Sequence, residues 1–288
     1  MNDRLLVARR VHRLGRTYGI RRLARLFRHR PEAWNEIVNF ELETFVQDQQ
    51  RRFQEIGLDW GEAQGVISAV PKDHRRRGIS EHYAIFASWL GSRPNSTVLE
   101  VGTAQGRFSG FLGSLLPQGR VITIDLPVED LRYMNATIVA DPSVGVVGRA
   151  PEERTANLAL PNIRFVEMNS LMLVNSTRRF DAVWLDGDHT NPVVTLDIAN
   201  ALRLVRPGGL LAMDDVQLPG AWFGVRRSDE TWQALESLRK AGVVTYGLVH
   251  KRLTEDALLI TEVRKYIAVV TRVSDRNPLD LGDEDPHR

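Results

Sequence analysis

Residues 97–106 read Thr-Val-Leu-Glu-Val-Gly-Thr-Ala-Gln-Gly. An apolar run of five residues ends in a glycine turn, and a helical pattern follows over 108–116. Strand, turn and helix in this order form the repeating unit of an open α/β sheet. Ligands of such sheets bind beyond the carboxyl ends of the strands, where the strand order reverses. Gly102 and Gly106 let the backbone pass close to a ligand with no Cβ in the way. The spacing is G-x-x-x-G, with Ala at position 104. A dinucleotide fingerprint needs G-x-G-x-x-G, so a nicotinamide oxidoreductase is disfavoured, and no Gly-Lys-Ser/Thr follows to make a P-loop.

Moving outward, apolar runs at 121–125, 163–167, 180–186 and 209–213 alternate with helical patterns at 81–90, 192–204 and 230–241. Segments 243–249 and 266–271 suit a closing pair of strands. The pattern predicts an α/β, Rossmann-like, mostly parallel sheet with a closing antiparallel strand. Residues 58–78 and 126–161 read as irregular. The expected organisation is a basic helical extension over 1–78, a main domain over 79–274 and an acidic, disordered tail over 275–288.

The 288 residues carry a formal net charge of +2 and no cysteine. That excludes disulfides, thiolate-ligated metals and thiol catalysis. The balance is uneven: residues 1–30 hold ten Arg and one acid, Asp3. Of the 38 basic residues, 34 are Arg and 4 are Lys, which codon bias explains. Val7, Val11, Leu14 and Tyr18 make a narrow apolar stripe on this arm. Docking on the chain's own body, or a homo-oligomer contact through these helices, is the first expectation, and peripheral contact with an anionic membrane the second. Nucleic acid is disfavoured, since no base-methylation motif is present. Leu5-Leu6-Val7 runs directly into Arg9-Arg10, so the apolar core of an export signal is missing and a cytoplasmic location is expected.

Glu100-x-Gly102-x-x-x-Gly106 after the first strand resembles the signature of class I S-adenosylmethionine (SAM) methyltransferases. The resemblance implies that the turn, with Thr103, lies against the methionine part of SAM, and that Glu100 fixes either the turn or the amino group. Asp125 ends the second strand, where the family's acid accepts from the ribose hydroxyls; a carboxylate can accept from both. Asn169-Ser170 follows the third strand, where the family often has an acid contacting adenine, and Asn169 departs from that.

The fourth strand ends Asp186-Gly187-Asp188-His189 and the fifth ends Asp214-Asp215. Both ends point to one sheet edge, so Asp186, Asp214 and Asp215 are expected to converge. Like carboxylates in one cleft repel, and a hard divalent ion such as Mg²⁺, Mn²⁺ or Ca²⁺ relieves that. The motif D-G-x-H followed by P-G-G and D-D is similar to metal-dependent O-methyltransferases: the catechol O-methyltransferase-like group, the macrolide sugar O-methyltransferases and the cephalosporin hydroxylase-type proteins. It implies Asp186, Asp214 and Asp215 as metal ligands, with Asp186 also beside SAM, and His189 as general base. Asp214 replaces a common Glu. Trp222, Phe223, Arg226 and Arg227 fall where a lid or substrate loop is expected, and the run Arg75–Arg77 borders the cleft or is a solvated loop.

The expected function is SAM-dependent O-methyl transfer to a small-molecule hydroxyl, a sugar moiety favoured, with divalent-metal activation. The alternatives are a metal-independent methyltransferase and a non-catalytic SAM-binding scaffold recruited by its basic arm.

Overall fold

The computed structural model describes residues 2–74, 80–127, 130, 151–219, 229–261 and 264–273. The sheet has seven strands in the order β3-β2-β1-β4-β5-β7-β6. They are β1 (Thr97–Val101), β2 (Arg120–Asp125), β3 (Ile163–Glu167), β4 (Phe180–Leu185), β5 (Val205–Val216), β6 (Val244–His250) and β7 (Tyr266–Arg272). The first five pair in parallel, and β7 runs antiparallel to both β5 and β6. The closing pair therefore inserts β7 between its neighbours and leaves β6 at the edge.

Side chains of a strand alternate between faces. Val98, Ala182, Trp184, Leu210 and Ala212 pack on one side with α6 (His82–Leu90) and α7 (Arg107–Leu115). Leu99, Val101, Val183, Leu185, Leu211 and Met213 pack on the other with the helix Val193–Leu204. Burial of both faces is why these strands read as unbroken apolar runs.

Two segments differ from expectation. Residues 58–78 contain α5 (Trp60–Ala69), capped by Asp59, whose side chain accepts from the Glu62 amide at 2.9 Å. Gly61 and Gly65 lower its intrinsic propensity; packing of Ala63 and Ile67 against α6 secures it. Within 126–161, Pro151–Asn157 is helical. β5 is also longer than expected, so Asp214 and Asp215 lie inside the strand. The Arg75–Arg77 run, the Trp222–Arg227 segment and the tail from 275 lie outside the described residues.

The basic arm folds back on its own chain. Leu14 of α1 (Asn2–Tyr18), Leu23 and Leu26 of α2 (Ile20–His29), and Ala33 and Ile37 of α3 (Glu32–Val38) form a separate core with Leu258, Leu259 and Ile260. Arg10 is buried and donates to the Ile37 carbonyl at 2.9 Å, the Phe40 carbonyl at 3.2 Å and Glu255 at 3.3 Å. The arm thus clasps the connection between β6 and β7. Among the described residues, no helix is long and apolar enough to cross a membrane.

Candidate active site

The strand order reverses between β1 and β4, and the glycine turn lies there. Gly102 has φ +98°, and a Cβ built on it would lie 2.1 Å from the Asp186 carbonyl oxygen. Its glycine is therefore required by the neighbouring strand end, quite apart from any ligand. The Gly102 amide donates to the Ile124 carbonyl at 2.9 Å and the Asp186 amide to the Val101 carbonyl at 2.8 Å. These bonds fix β1, β2 and β4 at one edge.

The other expected cofactor residues fall into two groups. Glu100 and Thr103 are buried, with side chains turned into the protein. Thr103 shares a hydrogen bond with Thr123 at 2.6 Å, and Glu100 accepts from the Ser109 hydroxyl of α7. Of the two roles expected of Glu100, this contact suits fixing the turn. Burial pushes the Glu100 carboxyl up to about 8, and the nearby charges of Asp186 and Asp125 add to the shift. Asp125 and Asn169 instead sit half-buried at the carboxyl edge. Asp125 accepts from the Ala104 amide at 2.8 Å and from its own neighbour Leu126 at 2.9 Å, which ties the second strand to the turn. Asn169 accepts from the Leu171 amide at 3.0 Å and caps the 3₁₀ turn Ser170–Asn175.

At β4, His189 Nε2 lies 3.4 Å from Asp186 Oδ1. Burial and the Asp214 charge push the Asp186 carboxyl up to about 6, with His189 opposing. For His189, burial disfavours the imidazolium, but the contact with Asp186 and the charges of Asp186, Asp215 and Asp214 outweigh it and raise the pKa above the ordinary value. Asp188 makes a local turn, accepting from Thr190 at 2.9 Å and 2.6 Å.

Asp214 and Asp215 occupy a bulge, where the β5–β7 register shifts between Met213 and Val216. Asp215 has φ +54°. A bulge re-aims the side chains around it, and here both carboxylates meet lysine. Lys251 Nζ donates to Asp214 Oδ2 and to Asp215 Oδ1, each at 2.5 Å, and Lys265 Nζ donates to Asp215 Oδ2 at 2.7 Å. Burial opposes ionisation of Asp215, yet Lys251, Lys265 and His189 hold its carboxyl well below the usual range. Burial likewise opposes the Lys251 ammonium, and the charges of Asp214, Asp215 and Asp186 raise its pKa.

These lysine contacts bear on the expected metal centre. Asp186 and Asp214 are near enough for their charges to interact, but Asp214 and Asp215 already neutralise ammonium groups. Among the described residues, no group of three His, Cys, Asp or Glu side chains is arranged to hold a metal ion. The donor set does not fit Mg²⁺ as it stands.

Sequence reasoning missed Lys251 and Lys265, which no motif marks. Their one signal was type: two of the four lysines, in a chain with 34 arginines, face the same carboxylate pair. It also missed His82, which stacks on Trp184 with centroids 4.9 Å apart beneath this edge, and Asp197, buried behind the 186–189 turn with Oδ1 unpartnered among the described residues. Burial pushes the Asp197 carboxyl up to about 6.

A parallel sheet ordered 3-2-1-4-5, with an antiparallel strand slotted beside its last member and a glycine turn at the switch point, is a Rossmann-like fold. Residues 99–216 match the family model described as "Methyltransferase domain". No curated protein matches the chain. Solved structures with a similar fold include cofactor-bound Rv0187 from MTB, 18% identical over 75% of this chain and 89% of that one, TM-score 0.48. An O-methyltransferase from Bacillus cereus in complex with SAH is 15% identical over 81% of this chain and 100% of its own, TM-score 0.45. The O-methyltransferase TomG from Streptomyces achromogenes, in complex with SAM, is 18% identical over 80% of this chain and 90% of its own, TM-score 0.43.

Proposed function

We propose that the chain transfers a methyl group from SAM to a hydroxyl of a small molecule, a sugar moiety being the favoured acceptor, with His189 as general base. The observation that carries this is the contact of His189 with Asp186 at the switch point, beside the Gly102 turn. When bound, SAM supplies a methyl group activated on a sulfonium. The turn 102–106 would lie along it, Asp125 would accept from the ribose hydroxyls, and Asn169-Ser170 would border the adenine.

The chain's own task is to position the hydroxyl and take its proton. An imidazole can accept that proton near neutral pH. Asp186 orients the ring and stabilises the imidazolium. Holding the hydroxyl oxygen in line with the methyl group removes the entropy of a bimolecular encounter. With Asp214 and Asp215 engaged by lysine, this reading runs without a divalent ion. The sugar preference is supported by the D-G-x-H motif's resemblance to sugar O-methyltransferases.

The test is release of S-adenosylhomocysteine (SAH) by the full-length protein against a panel of hydroxylated acceptors. His189→Ala should bind SAM normally and lose about 10²–10⁴-fold in turnover. Because neighbouring carboxylates hold the imidazolium, the rate should rise with pH through a midpoint above the ordinary histidine value of 6.5. SAM binding with no acceptor methylated, and no effect of His189→Ala, returns the chain to the scaffold reading.

A further inference from the structure

We propose that Lys251 is the resident cation of this site: its ammonium bridges Asp214 and Asp215 in place of a divalent ion, and excludes such an ion until it is removed. The inference rests on the location of the reacting site at the carboxyl edge and not on the identity of the acceptor.

The first support is placement. β7 runs antiparallel to β5, so Lys265, just before β7, arrives at the edge where β5 ends. β6 runs antiparallel to β7, so Lys251, just after β6, arrives there too. The two residues are joined by the Lys251 amide and the Lys265 carbonyl at 2.9 Å. The Lys251 carbonyl in turn accepts from the Glu81 amide, at the start of α6, at 2.9 Å. One residue earlier, Gln49 of α4 (Leu42–Glu55) donates to the His250 carbonyl at 3.1 Å and accepts from the His250 amide at 2.9 Å, as a paired strand would. The backbone that carries Lys251 is thus fastened on three sides.

The second support is chemistry. The side chains of Lys251 and Asp214 are 13% and 4% exposed, so their pairing is little screened by solvent. An ammonium is a compact point charge with three donors, whereas a guanidinium is a planar fork. A point charge between two carboxylates is the closest a side chain comes to a bound metal ion. In a chain whose basic residues are 34 Arg and 4 Lys, the two basic side chains that donate to this pair among the described residues are both Lys. Lys251 and Lys265 together balance two carboxylates, and His189 lies 3.4 Å from Asp186. A divalent ion added to that set would meet the ammonium at close range and be repelled.

Asp214 Oδ1 is buried and has no hydrogen-bond partner among the described residues. With Lys251 gone, that oxygen, Asp214 Oδ2 and the freed Asp215 Oδ1 become open donors for a hard ion.

The experiment is a Mn²⁺ titration of the full-length protein, read by electron paramagnetic resonance of free Mn²⁺, with SAH binding measured calorimetrically on the same samples. The wild type should show no stoichiometric Mn²⁺ site below millimolar concentration. Lys251→Gln should gain one site at least tenfold tighter, and Asp214→Asn added to Lys251→Gln should remove it. A stoichiometric site in the wild type overturns the proposal whether or not the variants fold. So does a Lys251→Gln protein that binds SAH and gains no Mn²⁺. Failure of the wild type to bind SAH counts against the methyltransferase reading alone.

Discussion

Gly102→Ala tests the junction on which the site is built. A Cβ at this position would sit 2.1 Å from the Asp186 carbonyl oxygen and 2.6 Å from its carbon. That is more than about 1 Å inside ordinary contact. Both partners are backbone, and both strand ends are pinned by the bonds to Ile124 and Val101. Neither can yield by turning a side chain. An alanine at φ +98° costs roughly 1–3 kcal/mol in backbone strain, and the overpacking adds roughly 1–3 kcal/mol. The expected loss is therefore about 2–6 kcal/mol. At about 2–4 °C per kcal/mol for a large domain, the melting temperature should fall roughly 4–24 °C. Gly106→Ala is the internal comparison. Its φ of +69° carries similar backbone strain, but its Cβ meets side-chain atoms, Leu158 at 2.9 Å and the Asn157 Cβ at 3.4 Å. Leu158 can move, so the drop should be smaller. The assay is calorimetric melting of both variants with SAH titration. Gly102→Ala melting within about 1 °C of wild type refutes the packing argument. If SAH binding alone is then lost, the glycine serves the ligand and not the strand.

Three further outcomes follow from buried charges. Folding raises the Glu100 pKa from 4.5 to about 8, so the folded state holds a proton that the unfolded chain releases, and wild-type stability falls as pH climbs between those values. Glu100→Gln removes this dependence and should overtake the wild type by about 2–4 kcal/mol at pH 8 in denaturant melts, and a gap that does not change with pH contradicts the assignment. Folding lowers the His250 pKa from 6.5 to about 4, burial being the main cause, so the unfolded chain takes up the proton first. Stability should drop by up to about 3 kcal/mol as pH falls from 6.5 to 4, a slope that His250→Gln should flatten in urea titrations. Arg10→Met strands the Ile37 and Phe40 carbonyls and Glu255 without their donor. At about 2–4 kcal/mol, this should loosen the arm and speed tryptic cleavage within 1–40, while unchanged cleavage would show that the apolar contacts alone hold it.

Much of the fold was legible because it is written in local periodicity. The runs around β1 to β5 are unbroken because both sheet faces are buried, and the turn at 102–106 punctuates the first of them. The closing pair was legible as two strands, but not the insertion of β7 between β5 and β6. α5 was missed because Gly61 and Gly65 masked a helix that Asp59 caps and tertiary packing secures. The site was half legible. Asp125, Asp186, His189, Asp214 and Asp215 end strands of known direction, so their shared edge could be deduced. Glu100 showed its position but not its buried environment, which sets its protonation.

The arm's charge divides the same way. The sequence by itself determined a basic amphipathic helix, since side-chain spacing along a helix is a local property. Only the tertiary structure decided that its apolar stripe closes on Leu258–Ile260, with Arg10 buried beneath it. The carboxylate pair is the sharpest case. The sequence determined two adjacent acids at a strand end that need a positive charge, because like charges repel at any such site. Read from the sequence, that charge was expected to be a hard divalent ion, because Lys251 and Lys265 reach that edge only when β7 turns antiparallel between β5 and β6. Electrostatics depends on distance in space, and the distance between residues 36 to 50 positions apart is set by topology alone.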